Sequence, residues 1–550
     1  MKNRPYTRLG LALLLSMALI SCSTPQTNTP LGPTASALLP TPTPPESALW
    51  GGTLTIAIPL PEATVFNPLT TETVSEWYIT NLLFNPLVLG GEGWGTETTG
   101  ELAERWDVSD DGLTWTFHLR RDVRWHDGVP LTSQDVLFTF AMIQDPNSGS
   151  RFRGRFLQDG DPILFTALDD YTVQVHLRRP QPTLVPDIGV AILPAHLLAG
   201  KGNSTADFEI HPIGTGPFKL EGLEPGKAIT LTANADYFRG RPYLDRIVLW
   251  MPPDDDALLS ALRDGQVDIA LLKPELTPKL KDWTGGTVRV QSWDTMWQLR
   301  LNNQHPLLQD KRVRQAIALA LDRQALVASV FQGYATAADS VFNQTVFTYV
   351  PHDPTLPQYL YDLDKARGLL ASAGWVRRSD GLRYKDEQPL RLPLLQGADY
   401  FSSAIGDLVR ENLAAVGIDV PVQRVNDPES AIREGDFVLC LGCWSLLGPD
   451  PGNYAAWIYH GPASENVLNY ENPRVDWLFD RAQSTQDAEQ RRVIYKDLER
   501  ALLEDLPIIP LVYPMSIFAV SNRVVMDQAI FDVNRIPPFR HPERIWLRQP

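Results

Sequence analysis

Residues 102–136 read LAERWDVSDDGLTWTFHLRRDVRWHDGVPLTSQDV. Two Asp-Gly pairs, Asp111-Gly112 and Asp127-Gly128, stand among β-forming residues, and Asp-Gly is a strong signal for a hairpin turn. Three tryptophans lie beside these turns, and each can bury about 150 to 250 Å² in a core. The stretch therefore predicts a strand at 115–119. The amphipathic pattern that begins at the end of the stretch predicts a helix at 135–142.

The rest of the chain mixes strand and helix patterns in the same way. Strands are predicted at 53–58, 172–177, 229–232 and 246–250. Helices are predicted after the N-cap residues Asp310 and Asp322, the second ending before Gly333, and again at 475–482. The Pro-bounded segment 507–513 predicts a return to a sheet. We find no repeat of short period, so the fold class is α/β rather than a solenoid or propeller.

Composition and charge narrow the class of protein. The chain has 550 residues, 43% of them hydrophobic, which is enough for at least two lobes. Its 65 acidic and 49 basic residues give a formal net charge of -16, without a local basic stripe. A phosphate backbone would be repelled, so no nucleic-acid partner is expected.

The N-terminus predicts export and a lipid anchor. Basic residues precede an apolar run at 9–20, which is too short for a permanent transmembrane helix and is typical of a removed signal peptide, here residues 1–22. The run ends in Leu19-Ile20-Ser21-Cys22, which resembles the lipobox of bacterial lipoproteins, and this predicts a lipidated Cys22 that anchors the protein to the membrane. The Thr-, Pro- and Ser-rich residues 23–49 predict a disordered stalk. An extracytoplasmic location follows.

Five blocks of sequence carry a family resemblance. They are residues 102–136; Gly214-Thr215-Gly216-Pro217-Phe218 with 234–240 and 265–270; 301–303 with 310–323; Tyr361-Asp362 with 365–366 and 373–375; and 472–476 with 506–510. Together they resemble the peptide/nickel class of extracytoplasmic solute-binding proteins of ABC importers, from Gly51 to the C-terminus. The resemblance implies a periplasmic-binding-protein-like type II two-lobe clamshell with an extra inserted domain. Most block residues are expected to build the fold and not to bind ligand.

The resemblance also implies a domain plan and a mechanism. The expected plan is a discontinuous domain I (50–88, 205–290 and 515–550), an inserted domain II (89–204) and a domain III (291–514). Ligand is expected between domains I and III, and hinge closure over it would create the form that docks on an ABC transporter permease. Because a shift from about 99% open to 1% open needs roughly 5.5 kcal/mol of differential binding, the ligand must touch both lobes. A monomer is expected.

Two segments correspond to ligand-facing elements of the family. The first places Glu72 and Val74 in the cleft, where Glu72 could meet a cationic group. The second contains Cys443, Trp444, Ser445, Leu447 and Asp450, and Tyr513 completes the expected ligand-binding set.

Leu447 departs from the pattern of the family. In peptide-binding relatives this position is an Asp that pairs with the ligand's α-ammonium group, and an unpaired buried ammonium would cost roughly 3 to 5 kcal/mol. Three interpretations remain open: another acid, Glu72 or Asp450, takes the ammonium; the ligand is an oligosaccharide stacked on Trp444; or it is another small polar solute.

Other functional classes are less well supported. Cys440 and Cys443 could form a disulfide, but their spacing on a strand would point the thiols to opposite faces, and no second pair completes a metal site. No Gly-x-Ser-x-Gly, His-Glu-x-x-His or Gly-x-x-x-x-Gly-Lys motif is present, and His126-Asp127 lies inside residues 102–136, which we call the fold signature. We expect a binding protein with no catalytic residue, cofactor or metal. A capture protein that reports to a membrane sensor is the remaining alternative.

Overall fold

The computed structural model describes residues 48–49, 51–58, 66–71, 74–89, 98–150, 152–201, 206–292, 295–344, 346–445, 450–452, 458–459, 466–526 and 541–548. The helices with defined bounds are α1 (Val74–Leu83), α2 (Ser133–Gln144), α3 (Leu184–Asp187), α4 (Ala195–Leu198), α5 (Ala206–Ile210), α6 (Asp255–Arg263), α7 (Lys311–Ala320), α8 (Arg323–Ser329), α9 (Leu363–Ser372), α10 (Tyr400–Ala415), α11 (Pro428–Glu434), α12 (Pro473–Ser484) and α13 (Ala488–Asp505). Short 3₁₀ helices span Arg153–Phe156, Pro274–Leu280 and Pro542–Arg544.

The strands are β1 (Ala48–Leu49), β2 (Thr53–Ala57), β3 (Val88–Leu89), β4 (Thr99–Gly100), β5 (Ala103–Val108), β6 (Thr114–Leu119), β7 (Leu157–Gln158), β8 (Asp161–Pro162), β9 (Leu164–Asp169), β10 (Thr172–His176), β11 (Phe218–Glu224), β12 (Ala228–Ala233), β13 (Arg246–Trp250), β14 (Ile269–Leu271), β15 (Gly286–Ser292), β16 (Thr295–Leu301), β17 (Ala335–Ala337), β18 (Val376–Arg377), β19 (Arg383–Lys385), β20 (Gln388–Pro389), β21 (Leu394–Gln396), β22 (Val422–Arg424), β23 (Leu439–Ser445), β24 (Ile508–Ser521), β25 (Val524–Val525) and β26 (Trp546–Arg548).

Most of the predicted elements are confirmed, with one clear difference in length. The predicted N-caps Asp310 and Asp322 do accept hydrogen bonds from the first turns of α7 and α8. The segment predicted as a strand at 507–513 is instead the first half of β24, which continues to Ser521. Thirteen of the 14 residues of β24 are buried. The sequence pattern predicted only the first half of this long buried strand.

Strand β24 joins the two halves of one 12-stranded sheet, whose main order is β11-β12-β13-β2-β14-β24-β16-β23-β21-β22. Residues 508–513 of β24 belong to an apolar core formed by residues 296–513, which we call the C-terminal core. Residues 517–520 belong instead to two cores formed by residues 54–280 together with the C-terminal residues 517–547. Strands β15 and β16 run antiparallel along successive halves of β24. The sheet is therefore continuous where the core is divided.

The fold signature forms a separate four-stranded antiparallel sheet, β5-β6-β10-β9, with α2 packed against it. Gly112 and Gly128, the glycines of the two Asp-Gly pairs, have φ of +70° and +92°, which favours glycine at both turns. Asp135 caps α2 by accepting a hydrogen bond from the Thr132 N–H at 2.9 Å, and it also accepts one from the Ala195 N–H. These residues build the fold, as the sequence predicted.

His126 connects the fold signature to the second block. The Nε2 atom of His126 donates to the Gly216 carbonyl at 3.0 Å, and its Nδ1 atom accepts from the Gly214 N–H at 3.1 Å. Both glycines lie against the end of α1, where a Cβ on Gly214 would lie 1.8 Å from the Leu83 carbonyl oxygen. The Gly-Thr-Gly segment is thus required for close packing, and His126 serves as a structural link.

The first and the last described strands are paired. The short strand β1 pairs with β26, so Ala48 lies opposite Arg548. This strand contains residues 48 and 49, the last two residues of the predicted stalk at 23–49. Within the part of the chain that the structure describes, no helix combines the length and apolar character needed to cross a membrane.

His126 should make stability depend on pH. Burial lowers the pKa of His126 from 6.5 to about 4. Between these values the unfolded chain binds a proton that the folded protein does not, so the free energy of unfolding decreases as the pH falls through this window. Chemical denaturation of the wild type and of His126→Gln should show the wild type's advantage shrinking by about 2 to 3 kcal/mol between pH 7 and pH 4. An advantage independent of pH would contradict this assignment.

Candidate functional site

The C-terminal core surrounds three parallel strands, with β21 between β23 and β22. Helix α10 connects β21 to β22, and α11 connects β22 to β23, so the chain leaves β21 on one side and returns on the other. Crevices form outside the carboxyl ends of parallel strands at such a reversal of strand order, and ligands bind in them.

A pocket of about 370 Å³ lies at this edge of the sheet. It is lined by Trp297 of β16; Gly397, Ala398, Asp399 and Ser402 at the start of α10; Asn426, Pro428 and Glu429 at the start of α11; and Leu441, Gly442 and Cys443 of β23. The volume falls in the range of small-molecule sites, and the lining combines an aromatic ring with a few polar groups, as such sites do. We call it the edge pocket.

Arg300 lies behind one wall of the edge pocket and contacts Glu429, a residue of that wall. Its side chain is fully buried, and its Nη1 atom donates to both carboxylate oxygens of Glu429, at 2.7 and 2.8 Å. Glu429 itself remains 46% exposed. A Cβ on Gly442 would lie 2.5 Å from the Arg300 Cζ atom, so only glycine leaves room for the guanidinium at this point.

Asp399 forms the opposite polar edge. It is the N-cap of α10, and its Oδ1 atom accepts from the Ser402 N–H at 2.9 Å. The Ser402 hydroxyl donates to its other oxygen. Asp399 is nevertheless exposed, so its carboxylate can also meet a solute.

The structure describes the side chains of some sequence-predicted ligand residues and not of others. Cys443 lines the edge pocket. Trp444 and Ser445 continue β23 beyond it, and Val74 is the first residue of α1, but the side chains of these three are outside the described part of the structure. Glu72 and Leu447 lie outside the described residues altogether.

Asp450 and Tyr513 have partners inside the protein. The Asp450 carboxylate pairs with the fully buried Arg491 at 2.7 Å and accepts from the Tyr495 hydroxyl at 2.8 Å. Burial raises the pKa of this carboxyl, and Arg491 opposes the increase. The Tyr513 hydroxyl donates to the backbone carbonyl of Phe342 at 2.8 Å, and its side chain is 1% exposed. A role for either residue in ligand binding stays a prediction.

The two cysteines of β23 are both free thiols. Cys440 is buried, whereas Cys443 is exposed. β23 is a continuous strand through Gly442, so the three-residue spacing places the side chains on opposite faces. Among the described residues, no group of three or more His, Cys, Asp or Glu side chains is arranged to hold a metal ion.

Sequence reasoning did not identify Trp297, Arg300, Asp399, Asn426 or Glu429 as residues of the site. Asp399 before an amphipathic helix is recognisable as an N-cap, but a cap pattern does not show that the helix starts at a pocket. Arg300 and Glu429 are separated by 129 residues in sequence, and only the paired strands bring them together.

The fold and the edge pocket define a type II periplasmic binding protein, and known structures of that class share this architecture. The structure of the oligopeptide-binding protein AppA from Bacillus subtilis in complex with a nonapeptide superposes with a TM-score of 0.78 and 27% identity, covering 91% of this chain and all of that one. The structure of NikZ from Campylobacter jejuni in complex with Ni(L-His) gives a TM-score of 0.75 and 25% identity, covering 86% of this chain and 95% of that one.

Sequence comparison identifies the family. Residues 97–466 match bacterial extracellular solute-binding proteins, family 5 (Middle), and the chain belongs to this family. AppA of Bacillus subtilis is 29% identical over 495 residues, which cover 86% of this chain and 88% of AppA. Heme-binding protein A of Haemophilus influenzae is 26% identical over 470 residues, 80% of this chain and 83% of that protein. The chain is therefore an extracytoplasmic solute-binding component of an ABC importer and not an enzyme.

Gly442 should be intolerant of even a methyl group. Gly442→Ala would push the Arg300 guanidinium out of place, and overpacking of this kind costs about 1 to 3 kcal/mol of unfolding free energy. Gly368→Ala is the matched control, because Gly368 lies inside α9 with no atom within 4 Å of an added Cβ. Urea denaturation should show the first variant destabilised and the control unchanged or slightly stabilised. Equal stability of the two variants would refute the close contact.

Proposed function

We propose that the protein is a lipid-anchored capture protein that binds a peptide-like solute between its two lobes and delivers it to an ABC permease. The edge pocket carries this proposal: it is a small-molecule pocket on the C-terminal core, at the end of strands that are paired with β24 through β16. The relatives named as oligopeptide-binding proteins favour a peptide-like solute over an oligosaccharide.

The division of the cores supports the proposed domain III, whereas residues of the proposed domains I and II share one core. The C-terminal core contains residues 296–513, in agreement with a domain III at 291–514, and the other cores combine residues 54–280 with 517–547. In this plan β24 and the β15–β16 segment pass between the lobes. They are the proposed hinge, because small dihedral changes in these strands would move one core against the other without breaking either.

We propose that the solute contacts both of the predicted ligand-facing segments, the one with Glu72 and Val74 and the one that begins at Cys443. Cys443 supports the second predicted segment, since it lines the edge pocket. Trp444, Ser445 and Leu447 follow it in sequence and are proposed to extend the same wall. Glu72 and Val74 are proposed to contact the solute from the other lobe. Asp450 is a weaker candidate than Asp399 or Glu429 for an ammonium partner, because Arg491 already neutralises it.

Filling the edge pocket should abolish capture. The test uses thermal unfolding of the wild type, Cys443→Ser and Cys443→Phe with a panel of two- to nine-residue peptides, oligosaccharides and the nickel–histidine complex. A solute at 100 times its Kd should stabilise the wild type and the Ser variant by about 2.7 kcal/mol, and the Phe variant little or not at all. Equal stabilisation of all three would place the ligand elsewhere, and consumption of a panel member would indicate an enzyme.

The anchor has a separate test. Replacement of Cys22 by Ser in the native host should move the protein from the membrane fraction to the soluble exported fraction, because the lipid chains supply the membrane affinity. Intact mass spectrometry of the membrane form should show a diacylglyceryl group on Cys22. Membrane retention of the Ser variant would contradict lipid anchoring and would leave solute capture unaffected.

A further inference from the structure

The charges at the edge pocket do not balance. Glu429 and Asp399 line the pocket, whose described lining contains no Lys or Arg, and the Arg300 guanidinium behind the wall is bonded to Glu429. Among the described residues that line or directly back the pocket, two carboxylates and one guanidinium leave a net formal charge of -1. Because Coulomb interactions weaken with distance, a solute in the pocket meets the carboxylates more strongly than the buried guanidinium.

Closure of the lobes would make this imbalance costly. Water solvates both carboxylates while the pocket is open, since Glu429 is 46% exposed and Asp399 is exposed. A closed cleft removes that water, and a charge that loses its water without gaining a counter-charge is strongly destabilised. A neutral solute would leave the pocket with its negative charge, whereas a solute with one positive charge would neutralise it.

The remaining walls suit the same kind of group. The carboxylate oxygens of Asp399 and Glu429 and the side-chain amide oxygen of Asn426 can accept hydrogen bonds. Such acceptors match the N–H donors of an ammonium or guanidinium group. Trp297 adds a half-buried aromatic ring, and cations are attracted to the faces of such rings. Asp399 caps the N-terminus of α10 and so reduces the attraction of that helix end for anions.

We infer that the edge pocket selects a singly positive group, ammonium or guanidinium, on the captured solute, with Asp399 and Glu429 as the specificity-determining residues. The inference rests on the proposed capture function and names the chemistry of its ligand. The charge has two sources in a peptide, a Lys or Arg side chain or the α-ammonium group, and the pocket chemistry is the same for both. Arg300 acts as a positioning residue, because it holds Glu429 at the pocket wall.

Peptides that differ only in charge provide the test. Arginine and citrulline have nearly the same shape, but citrulline is neutral, so we use peptides of three to six residues that contain one or the other. Each is prepared with a free and with an acetylated N-terminus, and affinities are measured by calorimetry. The wild type should bind the arginine peptide, or the free N-terminus, at least tenfold more tightly than its neutral twin. A difference in affinity between the arginine and citrulline peptides would identify the side chain as the bound charge, and a difference between the free and acetylated peptides would identify the α-ammonium group.

Variants then assign the discrimination to the pocket. Asp399→Asn keeps an N-capping side chain and removes the charge, and it should reduce the preference to less than about threefold. Glu429→Gln should do the same, and because it removes the carboxylate that faces the Arg300 guanidinium, its folding is checked by circular dichroism. Asp407→Asn is the matched control, because Asp407 is an exposed carboxylate on α10 that pairs with Arg410 and does not line the pocket. It should keep the full preference.

The outcomes separate this inference from the proposed function. Tight binding of peptides with no preference for charge, or a preference that survives in both Asp399→Asn and Glu429→Gln, would overturn the inference and leave solute capture standing. Tight binding of neutral oligosaccharides alone would also overturn it. If no solute of either panel stabilises the protein, the proposed function itself fails.

Discussion

Continuous pairing of β24 is the constraint on which the rest of the structure depends. A strand of 14 residues, buried along almost its whole length, must satisfy its backbone hydrogen bonds against β14 and β15 at one end and β16 and β17 at the other. An unpaired buried backbone group is costly, so this pairing is strongly favoured. The side chains of the same strand enter separate cores. One strand thereby keeps two packed bodies in register and still lets them remain distinct.

The edge pocket follows from the topology of the C-terminal core. The reversal of strand order at β21 opens a crevice, and the starts of α10 and α11 bring Asp399 and Glu429 to it. A charged residue of the five family blocks can instead serve the packing of the fold. Arg323, for example, is half-buried and donates to the backbone carbonyls of Pro510, Ala318 and Tyr359. The contrast distinguishes charge that stabilises the fold from charge that remains available to a solute.

Much of the fold could be predicted from local sequence, and little of the pocket could. The Asp-Gly turns, the N-caps at Asp310 and Asp322, and the strand alternation at 53–58 are local signals, and the structure confirms them. The pocket assembles residues from β16, α10, α11 and β23, which are brought together only by strand pairing. Its decisive contact, between Arg300 and Glu429, spans 129 residues, and the glycine it requires at position 442 looks like an ordinary strand residue in sequence. Family resemblance did include Cys443 in the expected ligand-binding set, because the segment that contains it has a recognisable motif.

The central claim is that the two lobes joined by β24, one built on the C-terminal core and the other on the two remaining cores, close over a solute held at the edge pocket. Small-angle X-ray scattering of the protein with and without a saturating solute from the panel tests it most directly. The account predicts a smaller radius of gyration with the solute for the wild type and for Cys443→Ser, and no change for Cys443→Phe. An identical scattering curve at saturation, with binding confirmed in the same sample, would contradict it.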